Sequence, residues 1–194
     1  FQHARFFILL IFFCGFGVLR SGVALPGDSP IRNIANARTR ISATGYISAE
    51  PRWDDGAMEY VVRLDNPEGR IWVRSDPHPV LPYGTGVRLS CTLVLPEPTD
   101  NFAFDKFAAM RGIDALCVRA ELEPSGEVAG SELYALLLSG KARFQSVIDK
   151  NLPEPHASFL GGLLYGLRAT IPAELSEAFN RTGTTHIIAI SGYN

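Results

Sequence analysis

Between Arg40 and Glu123 apolar and polar residues alternate with period two, and each alternating run is bounded by glycine, proline, asparagine or aspartate. That spacing sends successive side chains to opposite faces of an extended chain, so it predicts β-strands, five of them. The first, Ile41–Ala49, alternates apolar or small residues with Ser42, Thr44, Tyr46 and Ser48. Asp55-Gly56 supplies a turn, after which Met58, Tyr60, Val62 and Leu64 line one face of the second strand. Asn66-Pro67-Glu68-Gly69 turns the chain into the third, where Ile71 and Val73 face one way and Arg70, Trp72 and Arg74 the other. Val87, Leu89, Cys91, Leu93 and Leu95 line one side of the fourth, and the fifth runs from about Ile113 to Glu123. Between the last two, Phe104, Phe107 and Ala108 recur at helical spacing within 102–111, with Gly112 as the stop.

On either side of this region the periodicity changes. Phe6–Leu19 is uncharged and apolar, and with Ser21–Leu25 it approaches the ~20 residues of a bilayer span, which predicts a transmembrane helix over residues 1–25. The alternative is a secretory signal peptide, favoured by Arg5 and the small residues near Ala24. After Pro124-Ser125-Gly126 the chain turns helical. Leu133, Leu136, Leu137, Phe144, Val147 and Ile148 recur at spacings of three, four and seven, with Lys141, Arg143 and Lys150 on the polar side. The pattern suits a helix lying on a membrane surface, or equally one packed on a core. Pro153 and Pro155 interrupt it, and Ala157–Leu167 is an apolar run too short to span, with Gly162 and Gly166 spaced for close helix approach. Pro172 opens a further helix with Glu174 and Glu177 near its positive end, Arg181 near its negative end and Gly183 at its stop.

The fold class expected is therefore a mixed α+β membrane protein fragment. It has a membrane helix over 1–25, a small β domain over 38–123, and a helical domain from 131 that continues past residue 194. Phe at position 1 and the apolar run Ile187–Ile190 near the last residue are read as signs of a longer protein. The 194 residues, 46% hydrophobic and 20% charged, allow one or two small domains and exclude disorder. A formal net charge of -2 gives no global attraction to nucleic acid or anionic lipid, so any such contact must be local.

A five-stranded, partly open barrel with one helix is the OB architecture, whose sheet face commonly binds oligonucleotides. An ordinary OB fold carries its helix between the third and fourth strands, where this chain has only the loop of Pro77, Pro79 and Pro82. The candidate DNA-binding residues are Arg70, Trp72 and Arg74, an aromatic face between guanidinium groups, extended by Arg52, Trp53 and Arg63. The other reading is that Trp72 packs across strands or against a neighbouring domain and the arginines form surface pairs, and acids outnumber bases between Arg38 and Glu123. Cys91 and Cys117 would be free to pair outside the cytoplasm. Strand phase argues against it, because Cys91 shares a face with Leu89 and Leu93 while Cys117 alternates out of phase with Leu116, Val118 and Ala120. The preferred reading is two buried small hydrophobes. Ser191-Gly192 with His186 nearby lacks the Gly-x-Ser-x-Gly elbow and an acidic partner, so no hydrolase is expected. No phosphate loop, cysteine cluster or histidine-rich metal site is present, and no cofactor or metal is expected.

The C-terminal stretch resembles the ComEC-type competence protein family, the polytopic membrane proteins that pass single-stranded DNA into bacteria during natural transformation. The residues that carry the resemblance are Leu152-Pro153-Glu154-Pro155, Tyr165-Gly166-Leu167-Arg168, and then Phe179, Thr182, Gly183, Thr184, His186, Ala189, Ile190, Ser191 and Gly192. The chain departs from the family at Tyr193-Asn194, where many members have Leu-His. The stretch Phe104–Ile113 is similar to a segment of the family's OB-like domain. The resemblance implies a multi-pass protein of the bacterial plasma membrane that acts as a channel rather than an enzyme over these residues. Its partners would be single-stranded DNA, the lipid bilayer, a surface DNA receptor, a cytoplasmic translocation ATPase and further copies of itself. It implies an extracytoplasmic OB-like domain, whereas Arg20, Arg32, Arg38 and Arg40 beyond the apolar run, against Arg5 before it, weakly favour a cytoplasmic one. The expectation follows the family. The runner-up is a membrane-anchored OB module that binds its ligand and transports nothing.

Overall fold

The alternating runs between Arg40 and Glu123 fold as strands whose apolar faces turn inward around one core. In the computed structural model, which describes residues 10–20, 29–54, 56–100, 102–165 and 173–184, the chain divides into two units, Phe1–Gly130 and Ser131–Asn194. The first unit holds strands β1 (Arg40–Ile47), β2 (Arg52–Asp54), β3 (Ala57–Leu64), β4 (Gly69–Ser75), β5 (Thr85–Val94) and β6 (Ala115–Val128). Their order is β1-β5-β6-β4-β3-β2, and an added β1–β3 pairing closes β1, β3, β4, β6 and β5 into a barrel. β4 and β6 run parallel and the other barrel pairs antiparallel. This is the OB-type barrel expected, with β2 added as a short arm on the edge of β3.

Closure depends on Gly45. It pairs with Val87 of β5 on one side and Leu64 of β3 on the other, and a Cβ at this position would run into the backbone of Arg63 and Leu64. A residue without a side chain lets the two strands approach where the barrel wall bends. Inside, Ile47, Tyr60, Val62, Leu64, Ile71, Val73, Val87, Leu89 and Leu93 are fully buried, each contributing roughly 1.5–3 kcal/mol by leaving water. The Tyr60 hydroxyl accepts a hydrogen bond from the Leu81 amide at 3.2 Å, so the one polar group on that list is satisfied.

Helix α3 (Phe104–Met110) lies between the fourth and fifth barrel strands, as the sequence predicted. Gly112, at φ +64°, ends it, and the Ile113 and Gly112 amides bond back to Ala108 and Ala109. One helix was missed. Helix α2 (Pro30–Asn36) is capped by Ser29, whose hydroxyl accepts from the Arg32 amide, and Pro30 starts it. It drives Ile31 and Ala35, four apart and both buried, into the barrel core against β5 and β6. Its seven residues fall below the length at which apolar spacing is legible in a sequence. Of the apolar N-terminal segment predicted to span a membrane, residues 10–20 are helical (α1) with exposed side chains, and the rest lies outside the described residues. Among the described residues no helix is long and apolar enough to cross a membrane.

The cysteine reading needs correction: Cys91 and Cys117 form a disulfide, with Cα atoms 5.6 Å apart and both side chains buried. An irregularity in the β5–β6 ladder breaks the strand phase. Ser90 pairs with Glu121 but Thr92 pairs with Val118, so β6 gains one residue there, and Arg119 takes φ +54°. Such a bulge shifts the alternation by one. Ala115 and Cys117 point inward before it and Ala120 and Leu122 pack on the core after it, so Leu116 and Val118 never belonged to the inner face.

In the second unit, α4 (Glu132–Asn151) and α5 (His156–Tyr165) pack together and α6 (Ala173–Thr182) follows. Gly161 makes the close approach to α4, where an added Cβ would meet the Gln145 side chain at 3.0 Å. Gly162 is buried too, and Gly166, predicted to share this role, lies outside the described residues. Phe159 of α5 stacks on Phe179 of α6 at 5.6 Å between ring centroids. On α4 the side chains of Leu133, Leu136, Leu137, Phe144 and Val147 are all exposed, while Ile148 is buried.

Candidate nucleic-acid interface

The outer face of β3 and β4 follows directly from their register. Arg63 sits opposite Arg70, Val61 opposite Trp72, and Glu59 opposite Arg74, with Arg52 of β2 continuing the last row on the far side of Glu59. These are the second and third strands of the barrel, the face an OB fold presents to oligonucleotides. The segment between β1 and β3 and the segment carrying α3 flank it. Together they enclose a cavity of about 190 Å³, lined by Arg52, Glu59, Arg70, Trp72, Arg111 and Ile113 among others.

The structure brings together part of the predicted stripe and removes part of it. Arg70, Trp72 and Arg74 do share one face, and Arg52 and Arg63 join them. Trp53 does not: it pairs with Met58, an inward-facing residue of β3, and so alternates away from Arg52 onto the opposite side. Trp72 is only partly exposed, because α3 lays Phe104 and Phe107 against it at centroid distances of 5.4 and 6.2 Å. Arg70 donates to the Arg111 carbonyl at 3.1 Å, Arg74 to the Asp54 carbonyl at 3.0 Å, and Arg63 forms an ion pair with Glu68 at 2.6 Å. The surface-pair reading therefore holds for Arg63, while Arg70, Trp72 and Arg52 line the cavity.

Three charged residues that line the cavity, Glu50, Glu59 and Arg111, were not singled out from the sequence. Arg111 stands at the C-terminal end of α3, fixed there by the Gly112 stop, with its guanidinium 4.3 Å from the centre of the Phe107 ring. Partial burial, then the neighbouring Arg52, push its pKa down, and Glu59 opposes them. It stays charged nonetheless. Glu59 is half-buried between Arg52 and Arg74. Burial first, then Asp54, raise its carboxyl pKa, and Arg52, Arg74 and Arg111 together only partly offset the rise. The signal for Glu59 and Arg111 was present: Glu59 lies on the polar phase of β3, and Arg111 directly precedes a helix-stopping glycine. Their meeting depends on strand register and on the return of α3, which no local pattern encodes.

The motif residues of the C-terminal stretch form a helix end. Gly183 takes φ +69°, and the Gly183 and Thr184 amides bond back to the Asn180 and Phe179 carbonyls, closing α6 with the double bond characteristic of a glycine stop. The Thr182 hydroxyl donates to the Ala178 carbonyl at 2.9 Å and lies 2.7 Å from that of Thr184. His186, Ser191 and Gly192 lie outside the described residues.

The first unit is thus an OB-type barrel with a cavity lined by arginine, glutamate and tryptophan on the face that OB folds commonly present to ligands. Residues 163–194 of the chain match the model of the Competence protein family. The match spans the segment whose Phe-x-x-Thr-Gly-Thr-x-His motif resembles that family. No curated protein matches the chain.

Proposed function

We propose that the chain is part of a membrane channel that takes up single-stranded DNA during natural transformation, and that its barrel guides the strand. The match of residues 163–194 to the Competence protein family carries this reading. The barrel supports it, since Arg52, Arg70 and Arg111 around an apolar wall are the groups that meet phosphates and bases in sequence-independent strand binding. On this reading the protein sits in the bacterial plasma membrane with the barrel on the extracytoplasmic side. The buried Cys91–Cys117 disulfide favours that side, because such bonds persist where the surroundings are oxidising. The exposed leucines of α4, with Lys141, Arg143 and Lys150 on its polar side, suit a helix lying on the membrane surface. A polyanion cannot cross hydrocarbon unaided, since each charge costs several kcal/mol there, so the strand needs a protein path. The work done is binding and guidance rather than catalysis.

The test uses the full-length protein in transformable cells. His186→Ala is expected to abolish conversion of labelled DNA to a nuclease-resistant form while leaving DNA attachment at the cell surface intact. Uptake at the wild-type level, with the variant present in normal amounts, would remove any functional role for this histidine and leave the motif as a packing signature; unimpaired uptake in cells lacking the protein would favour the runner-up, an anchored OB module without transport.

A further inference from the structure

Glu59 is out of place on a face meant for a polyanion. It stands in register between Arg52 and Arg74, with Arg111 close enough to shift its pKa, and it lines the cavity. Yet among the described residues its carboxylate makes no hydrogen bond and no ion pair, although Arg74 donates to the Asp54 carbonyl and Arg70 to the Arg111 carbonyl nearby. Glu59 is thus a half-buried carboxylate among three arginines that has no donor among the described residues and lines the cavity, an acceptor open to a ligand there. The Arg70 Nε, buried in the same wall, likewise has no hydrogen-bond partner.

An ionised carboxylate only accepts and a guanidinium only donates. A ligand that satisfies both must carry an anionic group and, a few ångströms away, N–H donors. It must also offer an apolar face to Val61, Trp72 and Ile113, which supply the cavity's apolar wall. A nucleotide with an amino-bearing base has all three: its phosphate meets Arg52 and Arg111, its ring lies on the apolar wall, and its exocyclic amine donates to Glu59. Thymine presents an oxygen acceptor where cytosine presents the N4 amine, so it would set acceptor against carboxylate.

We propose that Glu59 reads the donor edge of one nucleobase in this cavity, and that the barrel therefore binds cytosine-containing strands more tightly than thymine strands. This rests on the reading of the face as a DNA-binding surface. The experiment titrates the whole chain in zwitterionic detergent with labelled oligo-dC and oligo-dT of equal length at neutral pH and low salt. The expected result is oligo-dC bound about fivefold or more tightly than oligo-dT, the lower end of what one good base-edge contact provides. Glu59→Gln keeps the shape and removes the charge; it should retain binding but bring the ratio to about twofold or less, since an amide both donates and accepts. Equal affinity of the wild type for the two oligonucleotides, or a preference that survives in Glu59→Gln, overturns the base-reading role and leaves strand binding standing. Binding to neither oligonucleotide overturns both readings together.

Discussion

Removing the Cys91–Cys117 bond perturbs the barrel without altering any of its hydrogen bonds. The two residues are 26 apart in the chain, and closing a loop of that length in the unfolded state costs it about 3.5 kcal/mol of chain entropy at 25 °C, stability that passes to the oxidised fold. With a urea dependence of about 2 kcal/mol per molar, typical of a small domain, reduction should lower the unfolding midpoint by roughly 1.8 M. Trp53 and Trp72 are the chain's two tryptophans and both lie in the first unit, so intrinsic fluorescence follows the barrel alone. Cys14 provides an internal reference, being an exposed free thiol among three cysteines in all. Alkylation of the native protein should therefore add one label before reduction and three after reduction and unfolding. Three labels on the native, unreduced protein, or superimposable urea curves for the oxidised and reduced forms, would refute both the pairing and the bulge that places the two sulfurs on one face.

Trp72→Ala removes two ring contacts from α3, each worth about 0.5–1.5 kcal/mol, and should destabilise the barrel by about 2 kcal/mol in urea titration; no loss would show that α3 does not rest on this ring. Ile31→Ala, at a fully buried site, should cost about 2–4 kcal/mol, and a change within experimental error would mean that α2 is not part of the barrel core. Glu59 holds its proton more tightly in the folded barrel than in the unfolded chain. Its stabilising contribution is thus full below the ordinary glutamate range and is lost as pH rises through the raised folded value. Glu59→Gln should accordingly raise the thermal midpoint at neutral pH and change little in strong acid; a lower midpoint at neutral pH would mean that the arginines outweigh burial.

Period-two alternation was enough to predict the five barrel strands, and helical spacing with a following glycine was enough for α3, because both are local properties written into consecutive residues. The same holds for the Gly183 stop, since the positive φ it needs disfavours a side chain whatever surrounds it. Arg70, Trp72 and Arg74 were legible as one face for the same reason. What lay beyond one strand was decided elsewhere. A single extra residue at Arg119 reversed the face of half of β6 and brought Cys117 round to Cys91, because side-chain direction in a strand flips with every one-residue slip. Arg52 and Trp53 are neighbours in sequence, yet only Arg52 reaches the cavity, because β2 adds to β3 in one register and no other. Glu59 and Arg111, more than fifty residues apart, meet because the barrel closes and the chain returns through α3. Local periodicity determines which way each side chain leaves its own strand; pairing between distant strands determines what it finds there.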